Sequence, residues 1–304
     1  MRPNLNATTK LLALLALTAT STLSQQPAGK DWKAAGDAWW AHVQYLADDK
    51  LEGRKTGTPG YEAAAKYVEE QFKAIGLKPA GINGYRQDVE LVPLSLDAKN
   101  SLFEIGGKPF SLTEDVTLSP RVAAYGEVNA PLVFIGYGLH IPRKHIDDFA
   151  GQDLKGKVVV FYNAAPATLQ GPQRAYARGF GERWKALKAA GAVGYVSIAS
   201  PRPGAPPPST NARTPQPVLS FADPQLEPPD GPKLVGLLSP SGQKKLFEGS
   251  GHTAEEIKAL ADAGKPLPSF QLGQVHAKTI VVTPQKPFIT APNLVGELDG
   301  SDKR

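Results

Sequence analysis

The amino-acid sequence predicts a mixed α/β fold, and three patterns carry that reading. Lys157-Val-Val-Val-Phe-Tyr162, the helical stretch that follows it and Val193–Ile198 give strand, helix and strand in the order of a local crossover unit. Short alternating apolar runs fill much of the chain between Tyr85 and Ile135. Apolar residues at helical spacing dominate the region before Gly76. With 304 residues, 41% apolar and 21% charged, the chain has the composition of a folded protein and the length for two domains.

Residues 1–24 read as an export signal: a basic start, the apolar run Leu11-Leu-Ala-Leu-Leu-Ala-Leu17, then small residues ending Thr22-Leu-Ser24 before Gln25. The run is too short to span a bilayer, and no later apolar stretch is long enough for a membrane helix. The mature protein is therefore expected in the periplasm or outside the cell, with no membrane contact after signal removal. There is no cysteine, hence no disulfide, thiolate nucleophile or lipid-bearing cysteine. The formal charge of +5 becomes +3 once Arg2 and Lys10 leave with the signal. The remaining cations are interspersed with acids, which argues against nucleic acid as a partner.

Trp39, Val43 and Leu46 predict a first helix over 37–48. After the loop 50–58, Thr58 caps a second helix with Pro59 in its first position, the stripe Ala64, Val68, Phe72 and Ile75, and a stop at Gly76 with Pro79 beyond. Strands are expected near Val89–Leu91, at 102–105 turning through Gly106-Gly107 to 110–112, and at 122–128, 131–135 and 157–162. Val158–Tyr162 is apolar enough to be covered on both faces. A helix over 174–190 leads through Gly191 to the strand 193–198. Eleven prolines in residues 201–232 remove backbone donors and predict a long loop without regular structure. The strand 234–238, a helix started by Ser239-Pro240, another with the capping box Thr253-Ala-Glu-Glu256, and strands at 275–282 and 293–298 complete the reading. No internal repeat is present.

Few residues suggest chemistry. Of the histidines His42, His140, His145, His252 and His276, only His145-Ile146-Asp147 has metal-like spacing. Its neighbours Pro142-Arg-Lys144 and Asp148 make it read as a solvated turn. No Gly-x-Ser-x-Gly elbow occurs, and Ser250-Gly251-His252 falls between two predicted helices. Gly136-Tyr137-Gly138, a hairpin or strand bend, and Gly179-Phe180-Gly181 lack the continuation of a phosphate-binding loop. The acid pairs Asp48-Asp49, Glu69-Glu70 and Asp147-Asp148 read as solvated helix ends or loops.

Several blocks together resemble zinc aminopeptidases of the aminopeptidase Y and glutamate carboxypeptidase type, which carry an inserted protease-associated (PA) domain. Tyr45-Leu-Ala-Asp-Asp-Lys-Leu-Glu-Gly-Arg54, Gly57-Thr58, Ala63-Ala-Ala65, Tyr67-Val68, Phe72-Lys-Ala-Ile-Gly-Leu-Lys-Pro79 and Tyr85-Arg-Gln87 are similar to the first segment of the peptidase domain. Leu132–Gly138, Ile146–Val160 and Lys185–Tyr195 are similar to the insert. In that pattern His145 occupies a position commonly held by an aromatic residue. Ala291-Pro-Asn-Leu-Val-Gly-Glu-Leu-Asp-Gly300 resembles the first strand of the catalytic sheet. In order, these blocks cover the chain from about Ala38 to Arg304.

The resemblance implies an incomplete N-terminal part of a zinc-exopeptidase α/β domain, with an inserted protease-associated α+β (β-barrel-like) domain. The implied boundaries are a signal over 1–24, peptidase segment over 25–114, PA insert over 115–286 with its Pro-rich loop 201–232, and returning strand over 287–304. A complete enzyme of this kind uses two zinc ions and a glutamate base on the N-termini of peptide or protein substrates. Its zinc ligands follow the Asn-x-Val-Gly segment, so no catalytic, cofactor-binding or metal residue can be carried over to this sequence, and the chain is expected to be inactive. On this reading the strand 293–298 lacks its sheet and the helix 59–75 lacks the core that covers it. The alternatives are a stand-alone PA module that binds peptides or proteins and a non-catalytic relative of the peptidases.

Overall fold

The computed structural model of the protein describes residues 31–121, 126–200, 217–227, 231–283 and 288–301. The proposed signal and most of the Pro-rich segment therefore lie outside the described residues. The chain divides into two compact units, one up to Lys78 and one from Pro79 onward.

In the first unit, helix α1 spans Trp32–Leu46 and starts five residues before the expected Asp37. The cause is local: the Asp31 carboxylate accepts the backbone N–H groups of Lys33 and Ala34, both at 3.0 Å, and so supplies a cap upstream of the apolar pattern. Helix α2 spans Pro59–Ala74, with the Thr58 hydroxyl accepting the Tyr61 N–H at 3.4 Å. Between them, Asp49–Arg54 forms a 3₁₀ segment interrupted by left-handed Glu52 and Gly53. Tyr45 stacks on Tyr67 at 3.9 Å between ring centroids, and the Tyr67 hydroxyl meets His42 Nδ1 at 2.7 Å. The predicted stripe on α2 is partly covered: Ala64 is buried, Val68 and Phe72 are half-buried, but Ile75 is 68% exposed.

The second unit begins with β1, Arg86–Leu96, then β2, Leu102–Ile105, β3, Lys108–Pro109, and β4, Val116–Leu118. Strand β5, Glu127–Ile135, is continuous across the gap between the expected runs 122–128 and 131–135; residues 122–125 lie outside the described residues. The short strands β6, His140–Ile141, and β7, Ile146–Asp147, form a hairpin. Next come β8, Val158–Asn163, helices α3, Gly171–Ala177, and α4, Phe180–Ala189, and β9, Gly194–Ala199. The chain continues through β10, Val218–Phe221, β11, Val235–Leu238, helices α5, Pro240–Phe247, and α6, Ala254–Asp262, and strands β12, Ser269–Lys278, β13, Val281–Val282, and β14, Ile289–Leu294.

Eight of these strands form one sheet in the order β3-β2-β12-β5-β8-β9-β11-β4. The centre, β5-β8-β9-β11, is parallel, and the outer pairs are antiparallel. Were this sheet flat, its edge strands would stand about 34 Å apart. The link from Pro109 to Val116 that joins those edges reaches at most about 25 Å even when extended, and it contains the turn Asp115 N–H to Ser111 O. The sheet must therefore curl.

Side-chain alternation then sorts the core into two layers. Leu132, Phe134, Val158, Val160, Tyr162, Val196 and Ile198 point into the curl with Phe103, Val116, Leu118 and Val275, where Leu246 and Phe247 of α5 and Ile257 of α6 fill the interior. Val133, Ile135, Val159, Phe161 and Tyr195 point outward against Leu187 of α4 and Leu154. The two-sided burial expected for Val158–Tyr162 is present.

A second, four-stranded sheet is organised by β1. On one edge it pairs with β10, and on the other with β13 and β14, all antiparallel. Pro93 falls in the interval between Leu91, the last residue paired with β14, and Ser95, the first paired with β13, so its missing N–H breaks no ladder bond on that edge. Just beyond β1, the Asp97 N–H donates to Ile280 O at 2.9 Å and the Ile280 N–H donates to Ser101 Oγ at 2.8 Å. Residues 97 and 280 are thus tied together at the base of the curled sheet.

Three expectations need correction. The helix 174–190 is two helices, because Gly179 adopts an extended conformation (φ −66°, ψ 124°) and caps the second. The Pro-rich segment contains a strand, β10: its residues Val218-Leu-Ser-Phe221 are free of proline and β-prone, and β1 offers them an open edge. The strand expected over 293–298 begins earlier, at Ile289, and continues after a break at Val295 as Gly296–Glu297; it is not without a partner, since Ile289–Leu294 pairs with Arg86–Leu91.

Burial on the outer face predicts that Leu187→Ala lowers the unfolding free energy by about 2–5 kcal/mol. Leu237, which is 44% exposed on the sheet, should tolerate Leu237→Ser within about 0.5 kcal/mol. Urea unfolding of both variants checks the contrast.

Candidate functional site

The turn after β5 builds the site. Gly136 and Gly138 have φ of 60° and 65°, and a Cβ on Gly138 would lie 2.9 Å from Phe161 Cβ. Glycine there lets the chain pass over the outer core and turn into the β6–β7 hairpin, the bend expected for Gly136-Tyr137-Gly138. The hairpin base is closed from both sides: the Leu139 N–H donates to Asp148 Oδ2 and the Asp148 N–H donates to Leu139 O, each at 2.9 Å. Tyr137 below it donates its hydroxyl to Lys265 O at 2.8 Å, and burial pushes its pKa up to about 12.

Between this hairpin and the pair α3–α4 lies a cavity of about 770 Å³. Leu139, Ile141, Leu169, Pro172, Ala177 and Ala186 supply apolar wall, and Arg143, Lys144 and Lys185 bring positive charge. The volume and mixed lining are those of a small-molecule pocket.

Arg183 forms part of the wall and is only 3% exposed. Its guanidinium donates to Asn163 Oδ1 at 2.8 Å and to the carbonyls of Ala177 and Ala164 at 2.9 and 3.3 Å, and it stacks 4.4 Å above the Phe161 ring. Nε has no hydrogen-bond partner, the one such buried side-chain nitrogen or oxygen among the described residues. Burial pushes Arg183 down to about 10, with Asp148 opposing that shift. Burial also pushes Asp148 up to about 6, against the backbone N–H of Leu139 and the charge of Arg183. Asp148 is therefore not the solvated loop residue that its acid neighbour suggested. Its reciprocal bonds with Leu139 draw it under the hairpin.

The other sequence candidates disperse. His145 caps the 3₁₀ turn 142–144 in left-handed conformation (φ 53°), while the Asp147 carboxylate accepts from Phe149 N–H at 3.0 Å and meets His140 Nδ1 at 2.9 Å. The His-x-Asp spacing thus does not bring His145 and Asp147 into one ligand set. His252 stacks on Phe270 and pairs with Glu256, and Ser250 donates to the Phe247 carbonyl at 2.7 Å, as turn residues between helices do. Asp48 caps the 3₁₀ segment through the Lys50 N–H, and Glu69 pairs with Lys73 at 2.7 Å. His276 lies between Glu127, at 2.8 Å, and Glu104, at 3.6 Å, and the Glu127 bond raises its pKa. Among the described residues no group of three or more His, Asp or Glu side chains could hold a metal ion.

Arg183 and its cavity had no counterpart in the sequence reading. One signal was available: Arg183 lies four residues before the buried Leu187, on the apolar side of α4.

No protein-family model matches the sequence, and no curated protein matches it. Among solved structures, an aminopeptidase from Aneurinibacillus sp. strain AM-1 is similar at 14% identity and a TM-score of 0.30, over 88% of this chain and 49% of that one. BSAP, a zinc aminopeptidase from Bacillus subtilis, is similar at 16% identity and a TM-score of 0.31, over 88% and 48%. The chain spans about half the length of these proteins.

A carboxyl group whose folded pKa exceeds its unfolded value loses stability as pH rises from the unfolded pKa to the folded one. For Asp148 that window runs from about 4 to about 6, and the loss is on the order of 3 kcal/mol. Asp148→Asn should flatten this component of the stability profile, read as the difference between variant and parent in urea titrations at stepped pH. For His276 the slope has the same sign: its raised pKa contributes stability at low pH that disappears as pH climbs through the folded value. Glu127→Gln should lower the His276 pKa in an NMR titration.

Proposed function

We propose that this chain is the N-terminal portion of an exported zinc-dependent aminopeptidase, with residues 97–280 forming an inserted domain of the protease-associated kind and no catalytic centre of its own. The observation that carries this reading is the pairing of β1 with β13 and β14. A segment inserted into a host domain must leave and return at neighbouring points, and here the strands on either side of residues 97–280 hydrogen-bond to one another. The order of the sequence blocks supports the same reading, because those similar to the peptidase domain fall outside 97–280 and those similar to the insert fall inside. On this account the insert starts before residue 115, since β2 and β3 belong to the curled sheet.

The complete enzyme would act on peptide or protein N-termini, with zinc and a general base contributed by residues beyond this chain. The present residues would supply the first helices of the scaffold and a domain beside the substrate path. A second reading, a binding module that works without a peptidase, is favoured by the cavity against α4, which is complete within the second unit.

Two measurements test these readings. The purified chain supplied with zinc should release no amino acid from leucine 4-nitroanilide above a protein-free control, and zinc-dependent turnover would refute the inactive-portion reading. An antibody against residues 97–280 should detect, in the exported fraction of the native organism, a protein clearly heavier than the 32.3 kDa of this chain. A band slightly below that mass would shift the assignment to the binding module.

A further inference from the structure

We infer that the cavity between the β6–β7 hairpin and α3–α4 is a binding site for a small apolar monocarboxylate, such as an aliphatic or arylalkanoic acid. The inference is independent of the peptidase reading. It rests first on a local count of charge. Of the acids near the cavity, Glu182 pairs with Lys185 at 2.6 Å, Asp148 faces the charge of Arg183, and Asp147 meets the His140 ring at 2.9 Å. Arg143 and Lys144 remain, with no hydrogen-bond or ion-pair partner among the described residues. Two unmatched cations at an apolar cavity favour an anionic group on the ligand.

A second observation lies deeper in the wall. Arg183 is buried and holds an N–H for which the protein provides no acceptor. A buried cation with a spare donor adds positive potential to the cavity it lines, and a bound anion would relieve its desolvation.

The chemistry of the wall selects the rest of the ligand. Leu139, Ile141, Leu169, Pro172, Ala177 and Ala186 can cover a hydrocarbon body. A peptide is a poorer occupant, because each buried amide needs partners that these side chains lack. A nucleotide is disfavoured for the same reason, having many polar groups along its whole length.

The test uses the full chain and isothermal titration calorimetry with decanoate, 1-decanol, and N-acetyl-Phe-Leu with its free carboxylate. Decanoate should bind at least tenfold more tightly than decanol and than the peptide. Arg143→Ala/Lys144→Ala should weaken decanoate about tenfold and leave decanol unchanged, as expected for two exposed cations acting on a charge. Both residues are exposed, so this variant should keep its circular dichroism spectrum. Ala186→Trp, which fills the cavity, should remove binding of both decanoate and decanol. Equal affinity for acid and alcohol, tighter binding of the peptide, no binding of decanoate, or indifference to the double substitution would each overturn the proposal.

Discussion

Everything in the second unit depends on one strand that must be covered on both faces. Val158–Tyr162 offers an apolar side chain at every position, and none of them reaches solvent. A strand of this kind needs two hydrophobic layers, and the chain provides them by different means. The inner layer comes from curling the sheet around α5 and α6. The outer layer comes from the crossover helix α4, which Gly191 returns to the sheet as β9. The central strand's neighbours on both sides, β5 and β9, run parallel to it, and the connection to β9 carries the crossover helix α4.

The cavity is a by-product of that outer layer. Phe161 extends the outer core beyond the helix contact, and Arg183 lies over its ring. The guanidinium then pins Asn163 at the end of β8 and the carbonyl that closes α3, which holds the two helices at the break near Gly179. On the opposite side, Gly138 lets the hairpin pass close to the same ring. The pocket walls are therefore both referenced to Phe161, one by a cation–π contact and one by the space that glycine leaves.

The elements that depend on local pattern were legible in the sequence. Thr58-Pro59, Ser239-Pro240 and the Thr253–Glu256 box each start a helix where expected, and Val158–Tyr162 is the central strand its composition promised. What escaped reading depends on partners distant in sequence. Val218–Phe221 is too short to stand out among prolines and becomes a strand because β1 presents an edge. Ile289–Leu294 finds its register against residues some two hundred positions earlier. Arg183 was hidden by its type, since arginine in a helix is ordinarily solvated and only its spacing from Leu187 hinted at burial. The Gly179 break shows the same limit, because a glycine inside a helical pattern can be tolerated or can end it.

Hydrogen bonds from Asp97 to Ile280 and from Ile280 to Ser101 close the base of the curled sheet. Native-state hydrogen exchange on the full chain tests this hierarchy most directly. Amides of β8 and β9 should exchange only through global unfolding, while those of the β6–β7 hairpin, held by a few exposed bonds, should open locally at much lower free energy. Exchange of the β8 amides at the rate of the hairpin would contradict the claim that two-sided burial of this strand organises the fold.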